Sequence, residues 1–296
     1  MSEPTTWHHA RGRFAVDHPI VVGILNVTPD SFSDGGQLVT VDQALERARE
    51  MVAAGADVLD VGGESTRPQG AFAVDADEEL RRVIPVIRLL ERELPGTPIS
   101  VDTTKSVVAE RALGAGAAIV NDVSAFRLDA KMGEVCAAAG AGVILMHSRG
   151  GVSEMATYAH AAYDALVEDV VAELGGRVDG ALAAGVPREA IVVDPGIGFS
   201  KRTEHSLAMI AGLSRLVSLG YPVLVGASRK RFVGELTGET VPAARVIGTV
   251  AVNVAALERG ARLFRVHDIK ENRQALDVAW AVINAVPVTA AAAVGR

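Results

Sequence analysis

Along this chain, blocks in which apolar residues recur at three- and four-residue spacing alternate with short, uninterrupted runs of Val, Ile and Leu. The first pattern predicts amphipathic helices, and the second predicts strands buried on both faces. Helices are expected over residues 41–54, 77–94, 163–184, 204–218, 242–259 and 269–285. Strands are expected over 20–26, 58–62, 99–102, 118–122, 142–147, 191–194, 222–227 and 263–267. The joins repeat one form, in which a helical pattern closes on glycine, then an apolar run, then polar residues: AAGADVLDVGGE, GAGAAIVNDVS, AAGAGVILMHS, SLGYPVLVGASRK and ERGARLFRVHD. Glycine takes the left-handed position that ends a helix, so each repeat reads as helix, turn, parallel strand. Eight such strands alternating with helices predict the α/β class and a single (β/α)8 TIM barrel. An open doubly wound sheet would need fewer strands, and its usual Gly-rich fingerprint after the first strand is absent.

No shift in composition divides the repeat, so residues 20–285 are expected to form one barrel domain, with an extension over 1–19 and a tail over 286–296. The adjacent His8 and His9 read as part of a solvated N-terminal segment. Two connections exceed what a join requires, at 28–39 and 65–75; both are rich in Gly, Pro, Ser and Asp and predict mobile loops after strands 1 and 2. The length of 296 residues suits one such domain. With 49% hydrophobic and 22% charged residues, both a core and a solvated surface are available. A net charge of -7 argues against nucleic acid as a partner. One cysteine, Cys136, rules out a disulfide framework within the chain, and no apolar stretch reaches membrane-spanning length, so a cytoplasmic protein without membrane partners is expected.

The polar residues that interrupt this pattern fall at strand C-termini: Asn26, Asp60, Glu64, Asp102, Asn121, Asp122, His147, Asp194, Ser228, Arg229, Lys230, Arg265 and His267. In a barrel those ends converge on one mouth. A helix cap or loop hydrogen bond explains one or two of them, but not a polar set on seven of eight strands. Carboxylates at Asp102 and Asp194 with the amide of Asn121 suit a flat heterocycle rich in N–H groups, guanine-like or pterin-like, because ionised carboxylates only accept. Arg229, Lys230, Arg265 and His267 follow strands 7 and 8, where barrels commonly hold phosphate.

The strings GILNVTPDSFSDGG (23–36), DVGGESTRP (60–68), SVDT (100–103), NDVS (121–124), DPGIGF (194–199), GASRK (226–230) and RVHD (265–268) resemble the dihydropteroate synthases in order and spacing. The resemblance runs from about residue 20 to 283, and its two longest strings are the most specific. It implies an enzyme that condenses 6-hydroxymethyl-7,8-dihydropterin pyrophosphate with p-aminobenzoate, giving 7,8-dihydropteroate and pyrophosphate for folate biosynthesis. It also implies that Asp102, Asn121, Asp194 and Lys230 hold the pterin, and that Asn26, Arg265 and His267 hold the pyrophosphate, with Mg2+ as counter-ion and Asn26 as its ligand. By the same resemblance Asp34, Thr66, Arg67 and Pro68 close over the site, while Phe199 and Ser228 line the aminobenzoate pocket. Asp34, Arg67, Lys230, Arg265 and His267 are then the catalytic candidates, a homodimer is expected, and sulfonamides, which mimic p-aminobenzoate, are expected inhibitors.

Four positions depart from the family pattern: Gln69 lengthens the second loop by one residue, Arg231 follows Lys230 where Ser is common, and Ser200 and Ser206 replace Gly or Ala and Asn. Three other readings stand beside the synthase. A methyltetrahydrofolate-binding methyltransferase barrel would share the pterin clamp but not Lys230, the RVHD string or the long first loop. An aldolase or isomerase would use Lys230 as a Schiff base. A non-catalytic paralogue would bind pterin without turnover.

Overall fold

The computed structural model describes residues 6–28, 40–64 and 74–285. A hairpin of β1 (Thr6–His9) and β2 (Gly12–Ala15) precedes β3 (Ile20–Asn26), β4 (Val58–Gly62), β5 (Ile99–Asp102), β6 (Ile119–Asp122), β7 (Gly142–Met146), β8 (Ile191–Asp194), β9 (Leu224–Val225) and β10 (Leu263–Val266). The last eight form one parallel sheet in the order β8-β7-β6-β5-β4-β3-β10-β9, and a parallel bridge between Val193 and Val223 closes it into a barrel. The expected TIM barrel is thus the observed fold. Strand 7 shrinks from the expected 222–227 to two residues. Pro222 has no N–H to donate, although its carbonyl still accepts from Val193 N at 3.0 Å.

The unbroken apolar runs hide an alternation between the inside and outside of the barrel. Val21, Leu25, Leu59, Val61, Val101, Val143, Val193 and Phe264 pack outward among the helices. Ile20, Val22, Val58, Ile119, Ile144, Val192, Leu224 and Leu263 pack together inside. Register then sets the height of each inward residue. Ile24, Asp60, Ser100 and Ile119 pair in one row; Asn26, Gly62, Asp102, Asn121 and Ile144 pair two residues higher. The lower interior is therefore apolar, and polarity begins only toward the C-terminal mouth.

The helices are α1 (Val41–Ala53), α2 (Ala76–Glu93), α3 (Ser106–Gly114), α4 (Met132–Ala139), α5 (Leu166–Ala183), α6 (Thr203–Ala211), α7 (Leu213–Val217), α8 (Arg231–Thr237), α9 (Val246–Glu258) and α10 (Ile269–Ile283). Helix α1 starts with a capping box: Thr40 Oγ1 accepts from Gln43 N at 3.2 Å, and Gln43 Oε1 accepts from Thr40 N at 2.9 Å. Helix α2 starts on Asp75, whose carboxylate accepts from Glu78 N at 2.8 Å. The expected helix over 204–218 breaks at Gly212, where an added Cβ would lie 2.8 Å from Val167 of α5. The expected helix over 163–184 begins at Leu166 instead, leaving Tyr163 to donate from its hydroxyl to the Ser200 carbonyl at 2.9 Å.

The N-terminal segment is not solvated as expected for His8 and His9. The β1–β2 hairpin covers the lower end of the barrel, Trp7 is fully buried among Ile20, Ile144 and Val192, and its Nε1 donates to the Ala190 carbonyl at 3.0 Å. Phe14 stacks on Trp7, and His9 is buried beside both. Gly142 lets the hairpin pack this closely: an added Cβ there would stand 2.9 Å from the His8 carbonyl oxygen and 3.3 Å from Trp7 Nε1.

Candidate active site

Period-two alternation aims Asp60, Asp102, Asn121, Asp194 and Arg265 into the mouth, because each stands two residues above an inward apolar side chain or pairs in register with one that does. Arg265 is the hub. Its Nε donates to Asp60 Oδ2 at 2.6 Å and its Nη2 to Asp102 Oδ2 at 2.7 Å. Asp60 Oδ2 also accepts from Asn121 Nδ2 at 3.1 Å, so the amide oxygen of Asn121 is the atom left to accept from a ligand. Burial pushes Asp102 up to about 7, with Arg265 opposing and Asp60 reinforcing the shift. Burial alone would lower the Arg265 guanidinium, but Asp60 and Asp102 outweigh it and hold the charge.

The opposite side of the mouth is built by Asp194 and Lys230. Asp194 Oδ1 accepts from Gly196 N at 2.7 Å, in the DPG turn that follows β8. Gly196 is required there: its φ is +65°, and an added Cβ would stand 1.9 Å from the His147 carbonyl oxygen. Gly226, at the end of β9, keeps the floor open, since a Cβ there would lie 3.8 Å from both Asp194 Oδ2 and Arg265. Lys230 begins α8, donates to the Ile197 carbonyl, and places its Nζ 4.4 Å from the centre of the Phe199 ring. Burial pulls the Lys230 ammonium down to about 8, against the attraction of Asp194, while burial raises Asp194 against Lys230 and the Gly196 amide. The two groups expected to hold one ring therefore face each other.

Ser228 and His267 meet on the third side: His267 N donates to Ser228 Oγ at 3.1 Å, and Nδ1 lies 3.0 Å from the same oxygen. Asn26, His267 and Arg229 line a cleft of about 690 Å3 against α1. An added Cβ on Gly62 would lie 3.5 Å from Asn26 Oδ1 and 3.6 Å from Asp102 Cβ, which places the cleft beside the central cluster. Among the described residues no group of three or more His, Cys, Asp or Glu side chains could hold a metal ion. Asn26 Oδ1, beside that cleft, is an oxygen donor of the kind a hard divalent cation takes.

Asn26, Asp102, Asn121, Asp194, Phe199, Ser228, Lys230, Arg265 and His267 thus surround one mouth, whereas Asp34, Thr66, Arg67, Pro68 and Gln69 lie outside the described residues. Arg229 lines the same cleft as His267, with its guanidinium paired to Asp268. Asp122 points away from the mouth and closes a turn, accepting from Ser124 N and Oγ at 2.7 Å each and from Phe126 N at 3.0 Å. Arg231 stacks on Tyr158 at 4.0 Å, with Arg202 on the same ring at 4.9 Å. Ser200 has a φ of +49°, and its hydroxyl ties residues 149 and 155 to this loop, accepting from Arg149 N and donating to the Arg149 carbonyl at 3.0 Å each. Ser206 donates to the Arg202 carbonyl at 3.0 Å and is fully buried where a larger Asn is usual. Sequence reasoning gave no role to Asp60 and overlooked Lys201, since neither the depth of a strand carboxylate nor the burial of a loop lysine has a signature along the chain.

A closed parallel barrel whose mouth turns acceptors toward one edge and cations toward another defines an enzyme for a nitrogen-rich ring bearing an anion. The model of the pterin binding enzyme family matches residues 22–267. Dihydropteroate synthase of Bacillus subtilis is 44% identical over 265 residues, covering 90% of this chain and 89% of that protein. The structure of Xanthomonas albilineans dihydropteroate synthase with 4-aminobenzoic acid superposes with a TM-score of 0.88 at 44% identity, covering 96% of this chain and all of the other. The same enzyme in complex with 7,8-dihydropteroate gives a TM-score of 0.82 at 43% identity, covering 93% of this chain and 97% of the other. The chain belongs to the dihydropteroate synthases, within the pterin-binding enzyme family.

Proposed function

We propose that this chain condenses 6-hydroxymethyl-7,8-dihydropterin pyrophosphate with p-aminobenzoate to 7,8-dihydropteroate and pyrophosphate, as a transferase of folate biosynthesis. The observation that carries this reading is the convergence of Asp102, Asn121 and Asp194 with Lys230 and Arg265 on one mouth. Asp102, Asn121 and Asp194 accept from the ring N–H groups, and Lys230 completes the ring's hydrogen bonds. Asn26, Arg265 and His267 take the pyrophosphate. Asn26 would hold the Mg2+ counter-ion of that group, which would supply charge neutralisation there.

The C–O bond between the pterin methylene and pyrophosphate breaks with its electron pair leaving on oxygen, and the amine lone pair of p-aminobenzoate forms the new C–N bond. The amine then releases its proton to solvent. Arg265 and His267 stabilise the anion as its charge develops, while Asp102 and Asp194 favour the positive ring. Phe199 and Ser228 orient the aromatic amine, which needs position more than a strong base. Asp34, Thr66, Arg67 and Pro68 are assigned to closure over the second substrate, excluding water that would capture the cation.

Purified protein given both substrates and Mg2+ is expected to release one pyrophosphate per dihydropteroate formed. Pterin binding without release would support a paralogue that has lost turnover, and borohydride trapping of a carbonyl substrate on Lys230 would support the Schiff-base reading.

We infer further that the protein acts as a homodimer in the cytoplasm, through α9 and α10. Helix α9, VIGTVAVNVAALE, is apolar nearly all round, a pattern that belongs to a helix covered on every side. Yet Ile247 of α9 is 85% exposed, and Val278 and Val282 of α10, which packs against α9, are 65% and 70% exposed. The cytoplasmic assignment rests on the single thiol, buried Cys136, and on the folate chemistry. Light scattering is expected to give twice the chain mass for the wild type and the chain mass for Ile247→Glu. A monomeric wild type at micromolar concentration would reject the dimer.

A further inference from the structure

Behind the wall that carries Phe199 lies a buried polar chain that no step above uses. Lys201 stands in the segment between β8 and α6 and is 1% exposed. Its Nζ lies 2.9 Å from His147 Nδ1 and 3.2 Å from the Phe199 carbonyl oxygen. His147 Nε2 lies 3.1 Å from Glu173 Oε2, and since a carboxylate only accepts, Nε2 carries the hydrogen and Nδ1 accepts from Lys201. Glu173 also takes the guanidinium of Arg149. The chain runs Arg149, Glu173, His147, Lys201 and ends on the backbone of the residue whose ring lies under Lys230.

A lysine removed from water is costly unless its hydrogens are used, and here two of them join separate elements, the end of β7 and the loop after β8. The DPG turn of that loop orients Asp194 and takes the Phe199 N–H on the Gly196 carbonyl at 3.0 Å, which leaves the Phe199 carbonyl to another donor. The Lys201 contact is the one that reaches the Phe199 carbonyl from the barrel side. We infer that Lys201 is a positioning residue for the second substrate: its ammonium pins the Phe199 carbonyl to His147 and so holds the Phe199 ring as the wall that aims an aromatic amine at the pterin methylene. The inference rests on the synthase reading of the site.

The charges around Lys201 give the pin a direction in pH. Burial pulls its ammonium down to about 7; Asp194 and Glu173 oppose that shift, and Lys230 and Arg149 add to it. His147, lowered to about 4 by burial and by Lys201, stays neutral through this range, and Tyr163, raised to about 12 by burial, contributes no charge. The protonated pin therefore dominates below neutral pH and gives way to a neutral amine as pH rises, and the weaker hydrogen bonds of that amine loosen the wall. Neither the carboxyl nor the aromatic amine of p-aminobenzoate titrates near neutrality, so the substrate adds no limb of its own.

The test is the KM of each substrate, with the other saturating, from roughly pH 6 to 8.5, in wild type, Lys201→Met and Glu173→Gln. In the wild type the KM for p-aminobenzoate is expected to rise through about pH 7. Lys201→Met is expected to raise that KM about tenfold at the acid end, leave the pterin KM within about twofold, and abolish the rise, while limbs from Asp102 and Lys230 persist in the pH profile of the pterin KM. Glu173→Gln removes a charge that favours the ammonium and is expected to move the inflection to lower pH. Equal increases in both KM values, or an inflection of the p-aminobenzoate KM retained in Lys201→Met, would overturn the inference. Should Lys201→Met fail to fold by circular dichroism, an unmoved inflection in Glu173→Gln overturns it alone. A wild type without any turnover would instead overturn the synthase reading itself.

Discussion

Replacing Asp194 by Asn is expected to lower kcat/KM for the pterin substrate by about 10^3, because the change puts a donor where the ring also presents donors. The Gly196 amide, 2.7 Å from Oδ1, will keep the oxygen of the new amide, so its NH2 group must face the mouth. One charge-assisted acceptor is lost and one buried donor is left unpaired, each worth roughly 2 kcal/mol. Lys230 also loses the carboxylate that opposes its loss of a proton, so its neutral form gains ground at neutral pH. Steady-state kinetics on a variant with an unchanged circular dichroism spectrum would measure this; a loss under tenfold would mean that Asp194 does not hold the ring.

Arg265→Met is expected to remove turnover and stability together. The guanidinium is the shared partner of Asp60 and Asp102, and Asp60 is fully buried with Oδ1 unpaired among the described residues. Breaking a buried ion pair from one side strands a charge and costs about 3–5 kcal/mol. For a domain of this size that corresponds to a fall in Tm on the order of 10 °C. The double variant Arg265→Met, Asp60→Asn should recover part of the Tm and none of the activity, since the Asp60 charge is gone while Asp102 still lacks its partner and no cation meets the leaving group. A single variant as stable as wild type would show that Asp60 is neutralised by other means.

The architecture was legible because five of the eight strands carry the same punctuation, glycine before the apolar run and a polar residue after it, and the hydrogen-bonded ladder needs little more. Strand 7 and the helix over 204–218 were misjudged at Pro222 and Gly212, where a missing N–H and a close pass of Val167 outweigh apolar periodicity. The site was legible as a set of residues and not as a set of pairs. Asn121 and Asp122 are neighbours in the chain, yet alternation sends one to the mouth and the other into a turn. Arg229 and Arg265 look alike as cations after strands 7 and 8, but their partners differ: Asp268 for the first, Asp60 and Asp102 for the second. The N-terminal hairpin went unread because its ten residues carry too little apolar content to suggest burial, and only the open lower end of the barrel makes Trp7 a core residue.

That hairpin also sets a timetable. The hydrogen bond from Trp7 to the Ala190 carbonyl spans 183 residues, and β3 pairs with β10 across the whole barrel. Loop-closure entropy of that size delays native contact formation, so during synthesis the hairpin must wait for strands translated well after it before it has anything to dock against. Until β8 emerges from the ribosome, Trp7 and Phe14 are exposed apolar surface, and sealing the barrel floor belongs to the closing stage of assembly rather than to its nucleus.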